Sequence, residues 1–311
     1  MNSIDIITVM GATASGKTAL AVNLANKIDA EIISADSRQV YRGMDIGTGK
    51  DLSEYEINGV TIPYHLIDVV DAGYRYNVFE YQRDFLKAYE SIKMRGKNIV
   101  LCGGSGMYIE AVINGYDLLP VPPNEELRQE LEPKTHDELI KILSSLKRLH
   151  NTTDIDTKKR TVRAIEIEYY LKNNNIDRRE YPAMNNVCFE LRFDRETRRK
   201  RITCRLLDRL KNGMIEEVEG LMKQGLTLDD MLFYGLEYKY ISLYICNKLT
   251  YDDMVEKLNI AIHQFAKRQM TWFRGMERKG TVINVIDGHK SINEKIKEII
   301  AFVSLTGLTD S

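Results

Sequence analysis

Short apolar runs separated by longer stretches of helical periodicity set the pattern along this chain. Ile4-Asp5-Ile6-Ile7-Thr8-Val9-Met10 reads as a buried strand ending at a glycine. Lys17 to Ile28 then places Ala19, Leu20, Leu24 and Ala25 at helical spacing. Ile32-Ile33-Ser34-Ala35 predicts a second strand. Asn98-Ile99-Val100-Leu101-Cys102 predicts a third, which runs into Gly103-Gly104, and Phe79 to Arg95 predicts a helix between them. Strands alternating with helices specify an α/β core, a parallel sheet covered on both faces.

The texture changes near Tyr116. Pro120, Pro122 and Pro123 stiffen the connection, and helical signals dominate after it. Thr135-His136-Asp137-Glu138 has the form of a capping box ahead of Leu139, Ile142, Leu143 and Leu146. Thr157 to Leu171 predicts another helix, broken by Asn173-Asn174-Asn175. Residues 116–185 therefore read as a helical insertion, and 1–115 with 186–311 as the core. Glu190 to Phe193 predicts the strand that returns to that core. Helices over Glu196–Lys211, Met214–Gln224 and Tyr251–Arg274 follow, with a last strand over Val282–Ile286. The Trp272-Phe273 pair reads as core rather than as a surface for stacking bases.

Composition narrows the class. Lys and Arg number 44 against 45 Asp and Glu, 43% of the residues are hydrophobic, and Pro is scarce, so this is an ordinary globular chain. No apolar run approaches the ~20 residues that span a bilayer, and Met1-Asn2-Ser3-Ile4-Asp5 lacks the features of a secretion signal. Cys102, Cys188, Cys204 and Cys246 lie far apart with no C-x-x-C pair, which argues against a disulfide framework and against a cysteine zinc site. The expectation is a cytoplasmic monomer with no membrane contact. Net neutrality conceals local charge: Arg195 to Lys211 holds eight basic side chains and two acids. Lys158-Lys159-Arg160 with Arg163 forms a second cluster, and Lys267, Arg268, Arg274, Arg278 and Lys279 a third. Three such clusters on a neutral protein point to a polyanionic partner.

Three segments carry the chemistry. Gly11-Ala12-Thr13-Ala14-Ser15-Gly16-Lys17-Thr18 fits G-x-x-x-x-G-K-[ST] between a strand and a helix. Backbone N–H groups there can curl around a phosphate at a helix N-terminus, Lys17 can reach terminal phosphate oxygens, and the Thr18 hydroxyl can ligate Mg²⁺. This predicts a P-loop NTPase-like core and a phosphorylated ligand without saying which. Asp36-Ser37, at the end of the next strand, delivers a carboxylate to the carboxyl edge of the sheet, as general base, magnesium anchor or turn cap. Gly103-Gly104-Ser105-Gly106 brings a hydroxyl to the same edge. His65-Leu66-Ile67-Asp68 has the look of a Walker B strand, with a cap or an ion pair as the alternative use of Asp68.

Together these segments resemble the tRNA dimethylallyltransferases over nearly the whole chain. The resemblance rests on residues 11–18, on Asp36-Ser37-Arg38-Gln39-Val40-Tyr41 followed by Gly43-Met44-Asp45-Ile46-Gly47-Thr48, on His65-Leu66-Ile67-Asp68, on Gly103 to Gly106, on Lys159-Arg160-Thr161-Val162-Arg163-Ala164-Ile165-Glu166 and on Lys267-Arg268-Gln269-Met270-Thr271-Trp272-Phe273-Arg274. Ser105 stands where the family usually has threonine, and Gly235-Leu236-Glu237-Tyr238-Lys239 departs from its usual Gly-Tyr-Lys. The resemblance implies transfer of a dimethylallyl group from dimethylallyl diphosphate to the exocyclic amine of the adenosine just 3′ of a tRNA anticodon. It implies that the loop of residues 11–18 and Arg201 bind the diphosphate, that Asp36 accepts the amine proton, and that Ser105 orients the reactants. It places Asp36, Ser37, Arg38, Gln39, Ser105, Arg128, Lys159, Arg160, Thr161, Val162 and Arg163 against the anticodon stem-loop. A small-molecule P-loop kinase would leave the Asp-Ser-Arg-Gln-Val-Tyr and Lys-Arg-Gln-Met-Thr-Trp segments without a purpose. An RNA-binding protein that had lost its chemistry would not need both Lys17 and Asp36.

Overall fold

The structure is a computed structural model that describes residues 4–149, 153–174 and 181–306. Its strands are β1 (Ile6–Met10), β2 (Ala30–Ala35), β3 (Tyr41–Arg42), β4 (Glu56–Ile57), β5 (Val60–Thr61), β6 (Tyr64–His65), β7 (Val70–Asp71), β8 (Asn98–Gly103), β9 (Asn186–Arg192) and β10 (Ile283–Asp287). Its helices are α1 (Lys17–Lys27), α2 (Val78–Met94), α3 (Gly106–Ile113), α4 (Glu125–Leu131), α5 (His136–Leu146), α6 (Lys158–Asn173), α7 (Arg195–Lys211), α8 (Met214–Lys223), α9 (Leu228–Tyr234), α10 (Leu236–Ile245), α11 (Tyr251–Arg278) and α12 (Ile292–Thr306). The chain divides into two compact units, one of Met1–Tyr116 with Ala183–Ser311 and one of Asp117–Pro182.

The first unit is built on a six-stranded sheet in the order β10-β9-β1-β8-β2-β6, with every pairing parallel. Alternation along β1 explains the layers. Ile6 and Met10 join a core with Ile33, Leu101, Phe85, Ile109, Leu206 and Phe273 on one face. Ile7 and Val9 join Ile32, Val100, Phe189, Leu20, Leu24 and Ile299 on the other. Parallel pairing sends the carboxyl ends of β1, β8 and β2 to one edge, where Met10 registers with Gly103 and Gly103 with Ala35. A side chain at Gly103 would strike the Ala35 carbonyl, so only glycine lets the two strand ends approach this closely.

One reading of the sequence needs correction. The Walker B-like run ends as a strand at His65, because Leu66 and Asp68 adopt φ of 61° and 54° and turn the chain out of extended form. Asp68 instead pairs with the fully buried Lys50, whose ammonium also donates to the Tyr41 carbonyl at 2.5 Å and to Asp45 at 2.7 Å. Of the uses left open for Asp68, a Walker B carboxylate, a cap or an ion pair, the structure shows the ion pair.

The second unit packs α4, α5 and α6 around Leu131, Leu139, Leu143, Ala164 and Ile165. The capping box is present: Glu138 N–H donates to the Thr135 hydroxyl, and the Glu138 carboxylate accepts from Thr135 N–H at 2.7 Å. Asn174 follows α6, and Asn175 of the asparagine breaker lies outside the described residues.

Candidate active site

A cavity of about 680 Å³ opens at the carboxyl edge of the sheet. Its floor comes from three strand ends. β1 delivers Thr13 and Lys17, β2 delivers Asp36, Ser37 and Arg38, and β8 delivers Gly104 and Ser105. The N-cap of α1 is Gly16, which offers no side chain to the helix N-terminus, so the first N–H groups of α1 are left for a ligand. Lys17 opens that helix. Burial depresses its pKa below the usual lysine value, while Asp36 works in the opposite direction.

The Asp36 carboxylate accepts from Arg38 N–H at 2.9 Å, an Asx turn that fixes its direction at the end of β2. Ser37 N–H donates to the Ser105 hydroxyl at 2.9 Å, and that hydroxyl lies 3.2 Å from the Ser37 hydroxyl. Ser105 occupies the N-cap of α3 without capping it, so its hydroxyl serves the cavity rather than the helix.

Helices distant in sequence supply the rest. On α7, Arg205 donates to the Thr13 hydroxyl, and burial lowers its pKa to about 10, with Arg209 adding to the effect. Arg201 donates from Nε to the Ala14 carbonyl at 2.8 Å, and its guanidinium stacks over Phe193, 4.8 Å from the ring centroid. Arg201 thus braces the phosphate loop, while Arg205 and Arg209 face the cavity. The i, i+4 spacing of these three arginines puts them on one stripe of α7, but does not say which of them reaches the cavity. On α11, Gln269 accepts from Thr13 N–H and donates to the Gly104 carbonyl, both at 2.9 Å, tying the phosphate loop to the end of β8. Glu237, at the start of α10, faces Arg205, Arg209 and Asp36, and burial raises its pKa. Gln269 and Glu237 lie in segments compared with the family, but nothing local to either indicates that it reaches the cavity.

The Trp272-Phe273 pair divides. Phe273 is fully buried, as the sequence suggests, whereas Trp272 is 36% exposed and lines the cavity.

Other positions expected to meet RNA lie in the loop after β2 and in the second unit. Gln39 is buried, accepts from the Ser34 hydroxyl and donates to the Gly49 carbonyl, so it fastens the loop after β2. In the second unit, Arg128 grips Glu166 through Nε at 2.7 Å and a terminal nitrogen at 3.1 Å. Arg163 donates to the same carboxylate at 3.0 Å and to the Val121 carbonyl at 2.6 Å. Thr161 is fully buried, Val162 is half-buried against the helical core, and Lys159 and Arg160 are exposed, Arg160 paired with Asp156.

Burial pushes the Glu166 pKa up, but Arg128, Asn124 N–H and Arg163 more than offset it and hold it below the usual glutamate value. A depressed carboxylate stabilises the folded form above its unfolded pKa and ceases to do so as pH falls through its folded value. Glu166→Gln should therefore weaken amide-exchange protection of α4 and α6 at neutral pH. The gap from wild type should shrink progressively below about pH 4.5. Equal protection at neutral pH would show that the cluster does not hold this unit together.

Among the described residues, no group of three His, Cys, Asp or Glu side chains could cage a metal ion. No helix among them is long and apolar enough to cross a membrane.

A sequence model of the family described as IPP transferase matches residues 39–276. The tRNA dimethylallyltransferase 2 of Bacteroides fragilis is 58% identical over 296 residues, spanning 95% of this chain and 97% of its own. A tRNA dimethylallyltransferase 2 of Porphyromonas gingivalis is 53% identical over 97% of this chain and all of its own length. The solved structure of the full-length tRNA isopentenylpyrophosphate transferase of Bacillus halodurans superposes with a TM-score of 0.70 at 30% identity, covering 96% of this chain and 95% of that one. A eukaryotic dimethylallyltransferase solved while acting on tRNA shares the fold, with a TM-score of 0.77 at 22% identity over 99% of this chain and 82% of that one.

Proposed function

This chain belongs to the IPP transferase family, and from that premise we propose that its cavity moves a dimethylallyl group from dimethylallyl diphosphate to the N6 amine of the adenosine immediately 3′ of a tRNA anticodon, releasing diphosphate. The observation that carries this reading is one cavity in which a phosphate loop, the α7 arginines Arg205 and Arg209 and the Asp36 carboxylate at the end of β2 converge.

The leaving diphosphate gathers negative charge as the bond to carbon breaks. Lys17, the open N-terminus of α1 and Arg205 stand where that charge develops, and Arg201 keeps the loop in shape. The adenine amine is a weak nucleophile, and Asp36 is the carboxylate that takes its proton as the new bond forms. Ser105, held by Ser37, aligns the acceptor, and Gln269 keeps the loop and the end of β8 at fixed separation. The target base must leave its stack to enter the cavity.

Magnesium fits the donors present. With no three-ligand cage in the described residues, an ion would be held by the Thr18 hydroxyl, diphosphate oxygens and water, the arrangement Mg²⁺ favours. When bound, it neutralises charge on the departing diphosphate. The protein is read as a cytoplasmic monomer whose helical unit, with the exposed Lys159 and Arg160, meets the anticodon stem.

Phosphate contacts release counterions, so affinity for an anticodon stem-loop should fall roughly tenfold or more between low and moderate salt. A flat dependence would remove the role of the basic clusters on α6 and α7. The reading as a whole is tested by mass spectrometry of tRNA nucleosides from a strain lacking this protein. Loss of the prenylated adenosine supports it, and an unchanged nucleoside profile contradicts it.

A further inference from the structure

Four of the large apolar side chains left exposed among the described residues converge at one place. Met107, Leu232, Phe265 and Trp272 are each between 36% and 42% exposed, and all four line the mouth of the catalytic cavity. Trp272 is held there by a built device. Its indole N–H donates at 2.8 Å to Glu110, a carboxylate on α3 that is 1% exposed. Lys279 donates to the other oxygen of the same carboxylate at 2.6 Å. The pyrrole side of the indole occupies the space that a side chain at position 106 would fill, so Gly106 lets the ring approach the start of α3 closely. A buried carboxylate with two donors, spent on aiming a ring that remains part-exposed, has no evident use in packing alone.

Resting on the prenyl-transfer reading above, we propose that Trp272 is a stacking platform for an unpaired nucleobase of the RNA substrate, and that Glu110 is the positioning residue that orients it. The surroundings favour a base over the prenyl chain. Arg268 lines the same mouth, with its guanidinium over the Phe265 ring, 5.9 Å from the centroid. A nucleotide presents a π face to the indole and a phosphate to the guanidinium, whereas a hydrocarbon tail gains nothing from the charge and would leave the rim wet. The indole N–H is already committed to Glu110, so Trp272 reads no base edge, and the contact tolerates any base.

Trp272 is the single tryptophan of the chain, so its fluorescence reports the contact directly. Titration of the full-length protein with an anticodon stem-loop should quench or shift Trp272 emission, saturating where labelled RNA shows binding. Dimethylallyl diphosphate alone should leave the emission nearly unchanged. Trp272→Ala should raise KM for the RNA about tenfold, the scale of one base–aromatic stack, with the Kd for diphosphate retained. Trp272→Phe should recover most of that loss, Trp272→Leu should not, and Glu110→Gln should give an intermediate rise. RNA that binds without disturbing the emission overturns the proposal, as does an equal response to dimethylallyl diphosphate alone, which would make the prenyl group the occupant. Trp272→Leu equal to Trp272→Phe overturns it too. Wild-type protein that binds no RNA at all would instead remove the prenyl-transfer reading, and the stacking role with it.

Discussion

Asp36→Asn is expected to slow single-turnover transfer by roughly a hundredfold or more, the scale of general-base catalysis, with diphosphate and RNA affinities nearly unchanged. The substitution preserves shape and keeps an oxygen that can accept from Arg38 N–H, so the Asx turn at the end of β2 should persist. What disappears is the acceptor for the amine proton. The loss should appear in kcat and in kcat/KM alike, the signature of an interaction made only in the transition state. An Asp36→Asn enzyme that transfers at the wild-type rate would move the proton acceptor elsewhere in the cavity, and Glu237 would be the next carboxylate to test.

Lys17→Ala should behave differently because Lys17 meets the diphosphate both before and during its departure. Binding of dimethylallyl diphosphate and the rate of transfer should fall together, with kcat/KM down by roughly two to three orders of magnitude, the range for removing one preorganised charge donor. Burial has already lowered the Lys17 pKa, so its charge should be lost at a lower pH than that of an ordinary lysine. Diphosphate affinity in the wild type should therefore weaken on the alkaline side, and the weakening should be absent in Lys17→Ala. Arg205→Lys provides a companion measurement: it keeps a charge near Thr13 but loses the planar fork, so it should fall between wild type and Arg205→Ala. Lys17→Ala with unchanged diphosphate binding would mean that the loop cradles something else.

How much of this the sequence disclosed depended on distance along the chain. The phosphate loop and Asp36 were legible because strand, turn and helix follow one another directly, and the chemistry sits at the junction. Apart from the two-residue β6, each strand of the six-stranded sheet has a recognisable apolar run, but the strand order cannot be read from the runs, since β9 joins β1 only after the insertion and β10 joins β9 only after several more helices. The helix α3 was missed because Gly106-Met107-Tyr108-Ile109-Glu110-Ala111-Val112-Ile113 is too short and too evenly apolar to show an amphipathic period. Arg205 and Gln269 meet Thr13 of the loop from 192 and 256 residues away, and Trp272 meets Glu110 from 162 residues away, so only the fold makes them neighbours.

Some partners are not revealed by spacing. Arg128 and Glu166 are 38 residues apart, and nothing local indicates that the guanidinium is engaged. Asp68 followed an apolar run and so read as the end of a strand, yet the left-handed turn at Leu66 had already redirected the chain toward Lys50. Trp272 next to the fully buried Phe273 shows the limit of residue type as a guide. Adjacent aromatic residues on one helix point to different sides, and one packs while the other meets the cavity.

The central claim is that this cavity joins a prenyl group to one adenosine of an anticodon loop. The most direct measurement incubates the purified protein with magnesium, dimethylallyl diphosphate and a tRNA transcript, then digests the RNA and weighs its nucleosides. The expected result is one dimethylallyl group on the adenosine immediately 3′ of the anticodon, one diphosphate released per transfer, and no product from a transcript carrying guanosine at that position. ATP hydrolysis stimulated by a small metabolite, with no prenylated adenosine formed, would contradict it.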